Sequence, residues 1–309
     1  MFDTMAIAKE QIVEELALKL SPDTIVRCDE PLAKKTTLRV GGPADFYVEP
    51  ASEADLAEIL KYCAEKELPF FLLGRGSNLL IKDSGIRGFV ISLGRSAFSE
   101  IKTVGEFLRC GAGAKLKAIS VEARNKNLSS LEFLEGIPGS LGGALRMNAG
   151  AMGAAMFNVV ESIRIMGRTG RIQELKRSGL QVEYRNCSLL KSHIALSAVL
   201  KGSPEAGELV AERMRTYSTK RWASQPKEPS AGCIFKNPET MPAGKLIEGL
   251  DLKNTRVGGA RVSEVHGNFI VNDGDATAED VLKLIELIKS RAKEKHGLDL
   301  RTEVEIVGE

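Results

Sequence analysis

From Leu134 to Gly143 the chain reads Leu-Glu-Gly-Ile-Pro-Gly-Ser-Leu-Gly-Gly, and shortly afterwards Met147-Asn148-Ala149-Gly150. Glycines this dense in an apolar segment mark backbone that must approach something closely, because Gly has no Cβ and accepts φ > 0. Their N–H groups can then donate to an anionic ligand. A second loop of this kind, Gly74-Arg75-Gly76-Ser77-Asn78, lies upstream. Two such loops point to a long ligand held at two places, such as a dinucleotide.

The surrounding pattern decides what kind of loop this is. An amphipathic helix is expected over about residues 5–20 and a strand over 44–48. A helix then starts with Ser52 as N-cap and carries Leu56, Ile59, Leu60 and Cys63 on one face. Pro69 closes it and residues 70–73 make a short strand. After the Gly74 loop come strand-like residues 78–81, a turn at 82–85 and another strand over 89–93. A Rossmann fingerprint needs a third glycine and must open a helix. Leu79 stands at the third position, and no helix follows. The Gly-Lys-Ser/Thr of a phosphate-binding Walker loop is also missing. A second α+β unit spans about 101–201, with a boundary at Pro204 and Gly207. The last part opens with a helix near 208–217 and closes with one capped by Thr277. That last helix turns Val281, Leu284, Ile285 and Ile288 inward and ends before Gly297.

Composition narrows the function classes. Lys and Arg number 43 against 41 Asp and Glu, so phosphate-backbone binding has no basic excess to draw on. The densest basic cluster, Arg213, Arg215, Lys220 and Arg221, reads as a solvated helix face. No apolar run approaches the roughly 20 residues of a membrane span, and Lys9, Glu10, Glu14 and Glu15 do not belong in a secretory signal. Five scattered cysteines without a CxxC, and three histidines, argue against a metal site and for reduced thiols in a cytoplasm.

Taken in order, a set of short motifs resembles the UDP-N-acetylenolpyruvoylglucosamine reductase (UDP-N-acetylmuramate dehydrogenase) family. The motifs are Thr37-Leu38-Arg39-Val40-Gly41-Gly42-Pro43-Ala44, Gly74 through Leu80, Gly136 through Ser140 with Asn148-Ala149-Gly150, Tyr184-Arg185, Ala231 through Pro238, and Thr302-Glu303-Val304. Singly they are weak; jointly they cover nearly the whole chain from Thr37. The resemblance implies an α+β fold. Two subdomains would form an FAD-binding module of the vanillyl-alcohol oxidase/p-cresol methylhydroxylase type, followed by a C-terminal α+β substrate-binding domain. The corresponding division is an N-terminal helix and lead-in over 1–36, FAD-binding subdomains over 37–95 and 96–204, and the substrate domain over 205–309. Cys187-Ser188 follow Tyr184-Arg185 almost directly, as in the form without a long substrate-capping insertion.

The implied activity belongs to peptidoglycan precursor synthesis. NADPH as co-substrate reduces FAD, which reduces the enolpyruvyl group of UDP-N-acetylglucosamine-enolpyruvate. By resemblance, FAD contacts come from Gly74, Arg75, Gly76, Ser77, Asn78, Leu79, Pro138, Gly139, Ser140, Gly142, Gly143 and Asn148. Tyr184, Lys236 and Asn237 face the substrate, and Arg185, Cys233 and Glu303 are catalytic. A cytoplasmic monomer with no metal, membrane or nucleic-acid partner is expected. An arginine fork suits a carboxylate gaining charge. Cys233 stands where the family places its proton donor, and a thiol with an ordinary pKa of about 8.5 releases a proton readily. The other four cysteines read as inert and buried. Glu303 reads either as one residue of a solvated strand face, with Arg301 and Glu305, or as a second acid. Lys236 reads either as a solvated lysine or as a phosphate contact. Glycine loops alone can be plain turns, and the same FAD module also serves other oxidoreductases. Two departures stand out: Asp251-Leu252-Lys253-Asn254 replaces the usual Gly-Leu-Lys-Gly, and Val265 stands where lysine is common.

Overall fold

The computed structural model describes residues 2–309, with side chains from residue 9 onward. The chain divides into two compact units assembled from interleaved segments. The first takes in residues up to Cys28, Phe46–Gly74 and Gly88–Thr219; the second takes Asp29–Asp45, Arg75–Arg87 and Lys220–Glu309.

In the first unit, residues 101–201 build a five-stranded antiparallel sheet. Its order is Ile172–Lys176, Val160–Met166, Ile194–Lys201, Phe107–Gly111, Ile101–Val104. The central strand Ile194–Lys201 is apolar at nearly every position, as burial on both faces requires. Leu108, Ile119, Leu134, Leu141, Leu145, Ile163 and Leu200 are fully buried in its core. A second core gathers Leu56, Ile59 and Leu60 from the helix Glu53–Glu65 around Phe46 and Phe89, whose rings stack at 4.8 Å. Ser52 caps this helix by accepting from the Asp55 N–H at 3.1 Å, as its sequence position predicts. The parallel strands Phe70–Leu72 and Ile86–Ile91 lie beside that core.

The second unit holds a four-stranded antiparallel sheet, ordered Ser230–Cys233, Phe269–Asn272, Ala260–Val262, Arg256–Val257. A separate parallel pair joins Leu79–Ile81 to Glu305–Val307. Val281, Leu284, Ile285 and Ile288 of the helix Ala278–His296 pack inward against the sheet. Thr277 and Asp280 form the capping box, and Gly297 closes the helix at φ 67°.

Several sequence expectations shift. The N-terminal helix runs Phe2–Ala17 and ends earlier than residue 20. Chain beyond it is drawn away, because the Ser21 N–H bonds to Asp55 Oδ1 at 2.9 Å. The helix expected near 208–217 extends over Gly207–Ser224. Arg213 on it is half-buried and paired rather than simply solvated: it holds Glu205 through two bonds (2.8 and 2.7 Å) and Glu132 at 2.8 Å. Cys63, Cys110 and Cys187 are buried as expected, and burial pushes the Cys63 and Cys110 thiols up to about 12, but Cys28 is exposed. Period-2 alternation predicts a strand through 298–306, whereas regular pairing is confined to Glu305–Val307. The Glu303 carbonyl is taken by a side chain instead, as described below.

Candidate active site

In the first unit, Ser140 precedes the short helix Leu141–Arg146 and bridges to Lys115. The Leu141 N–H bonds to the Ala114 carbonyl (2.9 Å) and the Gly142 N–H to the Ala112 carbonyl (2.7 Å). These two amides are therefore spent on the chain itself. At Gly142 the fit is tight, since a Cβ there would come within 3.2 Å of the Ala112 Cβ and 3.3 Å of its carbonyl. Gly74 lies against the same turn, where a Cβ would meet Ser140 Oγ at 2.8 Å. Around Gly136 a Cβ would meet nothing within 4 Å, and at Gly143 only Ser140 Oγ, at 3.7 Å.

Asn148 has a left-handed backbone, φ 42°, and both ends of its amide are engaged. Nδ2 donates to the Glu183 carbonyl at 3.0 Å and Oδ1 accepts from the Phe157 N–H at 3.2 Å. It thereby ties the glycine-rich segment to the hairpin of Val182–Glu183 and Asn186–Cys187. Tyr184 and Arg185 are the two-residue loop of that hairpin. Arg185 has φ 57°, its guanidinium lies over the Tyr184 ring at 5.2 Å, and Nη1 donates to the Gly150 carbonyl at 3.5 Å. Tyr184 itself is 74% exposed.

The second unit contains the other half of the predicted residues. Of the glycine loop 74–78, Arg75, Gly76, Ser77 and Asn78 belong to this unit. Gly76, at φ 58°, could carry no Cβ, which would fall 2.7 Å from Thr36 Cα. Its carbonyl accepts from the Thr37 N–H, and Thr37 Oγ1 donates to the Ser230 carbonyl at 2.7 Å. Asn78 Nδ2 donates to the Glu303 carbonyl at 3.1 Å, and the Asn78 carbonyl accepts from the Glu305 N–H at 3.0 Å. Leu79 follows in the paired strand, opposite Glu305. Cys233 ends the strand Ser230–Cys233, opposite Phe269 and just past an irregularity at Gly232, φ 77°. From there Ile234 accepts from the Glu303 N–H at 2.8 Å, Phe235 bridges to Thr302, and the Lys236 N–H bonds to the Arg301 carbonyl at 2.9 Å. Asn237 Oδ1 accepts from the Ala243 N–H at 3.0 Å, at the start of the helix Ala243–Gly249. Cys233, Glu303 and the Gly76–Asn78 loop are thus neighbours within one unit; Arg185, Tyr184 and the Gly136–Asn148 segment belong to the other.

Residues 44–176 match the FAD binding domain, and residues 225–307 match the UDP-N-acetylenolpyruvoylglucosamine reductase C-terminal domain. The reductase of that name from Bacillus subtilis is 40% identical over 302 residues, covering 97% of this chain and 99% of the relative. The chain belongs to the UDP-N-acetylenolpyruvoylglucosamine reductase family. The Syntrophomonas wolfei reductase is 39% identical over 93% of this chain and 97% of its own length. The crystal structure of the Thermus caldophilus reductase superposes with a TM-score of 0.80 at 35% identity, covering 92% of this chain and 99% of that one. As a family member the chain is an FAD-containing oxidoreductase of α+β fold.

The residues present fit FAD. Open space lies over the Gly136 backbone, and beside it Glu135 Oε1 pairs with Lys117 at 2.8 Å while Oε2 is buried without a hydrogen-bond partner. A buried acceptor of this kind calls for a donor such as a ribose hydroxyl or a ring N–H. Glu135 escaped the sequence reading, because a lone acid in a glycine loop carries no spacing signal. The departures at 251–254 are absorbed by backbone choice: Asp251 (φ 58°) and Asn254 (φ 63°) adopt the left-handed conformation that glycine would supply. Asn254 Oδ1 also accepts from the buried Arg261 at 2.9 Å. Val265 is 46% exposed and brings no charge to that surface.

Proposed function

We propose that the chain reduces the enolpyruvyl group of UDP-N-acetylglucosamine-enolpyruvate to give UDP-N-acetylmuramate, with NADPH as the source of hydride. FAD, when bound, would supply the hydride chemistry that connects NADPH to the methylene carbon of the vinyl ether. Negative charge then grows on the adjacent carbon and its carboxylate. The chain's own residues must stabilise that charge and deliver a proton.

Arg185 is the group for the carboxylate. A guanidinium offers parallel donors in a rigid fork, and its attraction to the carboxylate strengthens as the charge accumulates. Its left-handed backbone supports the assignment, because a non-glycine residue held at φ 57° is tolerated where the side chain is needed. Cys233 gives its thiol proton to the carbon, and Glu303 polarises the enolpyruvyl group. The single observation that carries this reading is the 2.8 Å bond from the Glu303 N–H to the Ile234 carbonyl, which links the chain stretches of the two acids. Asn237 has its amide oxygen occupied by Ala243 and keeps its NH₂ for the sugar or phosphate; Lys236 offers a point charge. In this reading residues 37–204 hold FAD and 205–309 the UDP-sugar, in a cytoplasmic monomer.

The test separates the two half-reactions. Cys233→Ala should still be reduced by NADPH but should fail to be reoxidised by the enolpyruvyl sugar. The loss should be of the order of the 10²–10⁴-fold that a general acid contributes. Cys233→Ser should keep measurable turnover. Full turnover by Cys233→Ala would overturn the assignment.

A further inference from the structure

We propose that Asn268 is a positioning residue that sets the Cys233 segment in register against Glu303. The inference rests on the reading of Cys233 as proton donor. Asn268 is 2% exposed. Its carboxamide lies alongside the peptide of Phe235 and makes both bonds that a neighbouring strand would make. Oδ1 accepts from the Phe235 N–H at 2.9 Å, and Nδ2 donates to the Phe235 carbonyl at 2.8 Å. The Asn268 main-chain carbonyl accepts from the Ile234 N–H, also at 2.9 Å. One residue therefore supplies three bonds to the two residues that follow the thiol.

Those bonds fall where the sheet ends. Pairing between Ser230–Cys233 and Phe269–Asn272 passes through an irregular register and stops at Cys233 opposite Phe269. Beyond that point Asn268 replaces the ladder. The Ile234 carbonyl is then available to the Glu303 and Val304 N–H groups at 2.8 and 3.3 Å. Asn268 is anchored in turn, because its N–H donates to His266 Nδ1 at 3.1 Å. A neutral amide is the side chain that can serve both Phe235 groups. An ionised Asp accepts only and would face the Phe235 carbonyl with like partial charge, and an apolar side chain would leave two buried backbone groups unpaired. Asn268 acts through the Ile234 and Phe235 peptides and needs no contact with the substrate.

The experiment compares Asn268→Asp and Asn268→Ser with wild type and Cys233→Ala, all as FAD holoenzymes. Flavin reduction by NADPH should stay within about twofold of wild type. Reoxidation at saturating enolpyruvyl UDP-sugar should slow about 10- to 10²-fold, the scale of a 1 Å misplacement, with little change in the concentration giving half the maximal rate. The Ser variant, which introduces no buried charge, should show the same one-sided loss to a smaller degree. Amide hydrogen exchange on the same proteins should rise at residues 234–235 and 303–304 while the helix Ala278–His296 stays protected. Unchanged reoxidation, equal slowing of both half-reactions, or unchanged exchange at those amides would each overturn the positioning role. If Cys233→Ala is reoxidised at the wild-type rate, the donor assignment falls. If Cys233→Ala is blocked while the Asn268 variants are not slowed, only the inference about Asn268 falls.

Discussion

Arg185 carries a conformational cost alongside the chemistry proposed for it. A left-handed backbone costs an L-residue roughly 1–2 kcal/mol, and glycine would remove that cost. The Arg185 guanidinium donates to the Gly150 carbonyl at 3.5 Å and lies over the exposed Tyr184 ring. Arg185→Gly relieves that backbone cost while losing those contacts, and should shift the thermal midpoint by no more than the few degrees that about 1 kcal/mol represents. It should also slow reoxidation by substrate at least 10²-fold, the scale of losing an oriented charge-stabilising donor. A variant that is both stable and fully active would remove Arg185 from the chemistry. The Tyr-Arg pair was legible in the sequence only as part of an ordered motif set, because a lone arginine near a strand end carries no pattern. Asn78 and Asn148 were legible as members of glycine loops. Their actual bonds, to the Glu303 and Glu183 carbonyls, were not, since those partners lie 225 and 35 residues away.

At the scale of elements, the capped helices were the best specified by sequence. Ser52 and Thr277 both act as N-caps, because a small hydroxyl directly before an apolar 3.6-residue repeat satisfies otherwise orphaned N–H groups. The partner of the first cap was not legible: Asp55 also binds Ser21, 34 residues upstream. Burial alone would raise the Asp55 carboxyl, but bonds from the Ser21 N–H, Ser52 Oγ and Ser21 Oγ outweigh it and hold the group below its usual range. The sign follows from linkage. A carboxyl depressed in the folded state adds stability above its unfolded pKa of about 3.9, and that stability is lost as pH falls through the lower folded value. Asp55→Asn should cost about 1.5–3 kcal/mol at neutral pH, the worth of a hydrogen bond to a charged group. The gap between the thermal midpoints of wild type and variant should close as pH drops below 4 or so. A gap that persists at low pH would assign the loss to packing instead. The strand expected through 298–306 is the opposite case. Alternation correctly buries Leu300 and Val304, yet the pairing there is made by Asn78 and Ile234 rather than by a regular ladder. Period-2 patterning reports which face is buried and carries no information about the partner.

For the molecule as a whole, the α+β class and the FAD and reductase regions follow from local motifs taken in order. The way the chain is shared between units does not. Residues 29–45 and 75–87 join the C-terminal segment in one compact unit, so the chain passes between units several times. A boundary argument built on Pro and Gly punctuation reads contiguous stretches and has no access to such interleaving. The consequence for function is that Gly74 falls in one unit and Gly76 through Asn78 in the other, within a single glycine loop. The central claim is a flavin that is reduced by one partner and reoxidised by the other. It is tested most directly by the anaerobic visible spectrum of the purified protein, recorded first alone, next with NADPH, and finally with UDP-N-acetylglucosamine-enolpyruvate. The account predicts an oxidised flavin band that bleaches with NADPH and returns on addition of the enolpyruvyl sugar. A band that bleaches and stays bleached would contradict the substrate assignment, and the lack of any flavin band after FAD is supplied would contradict the account at its root.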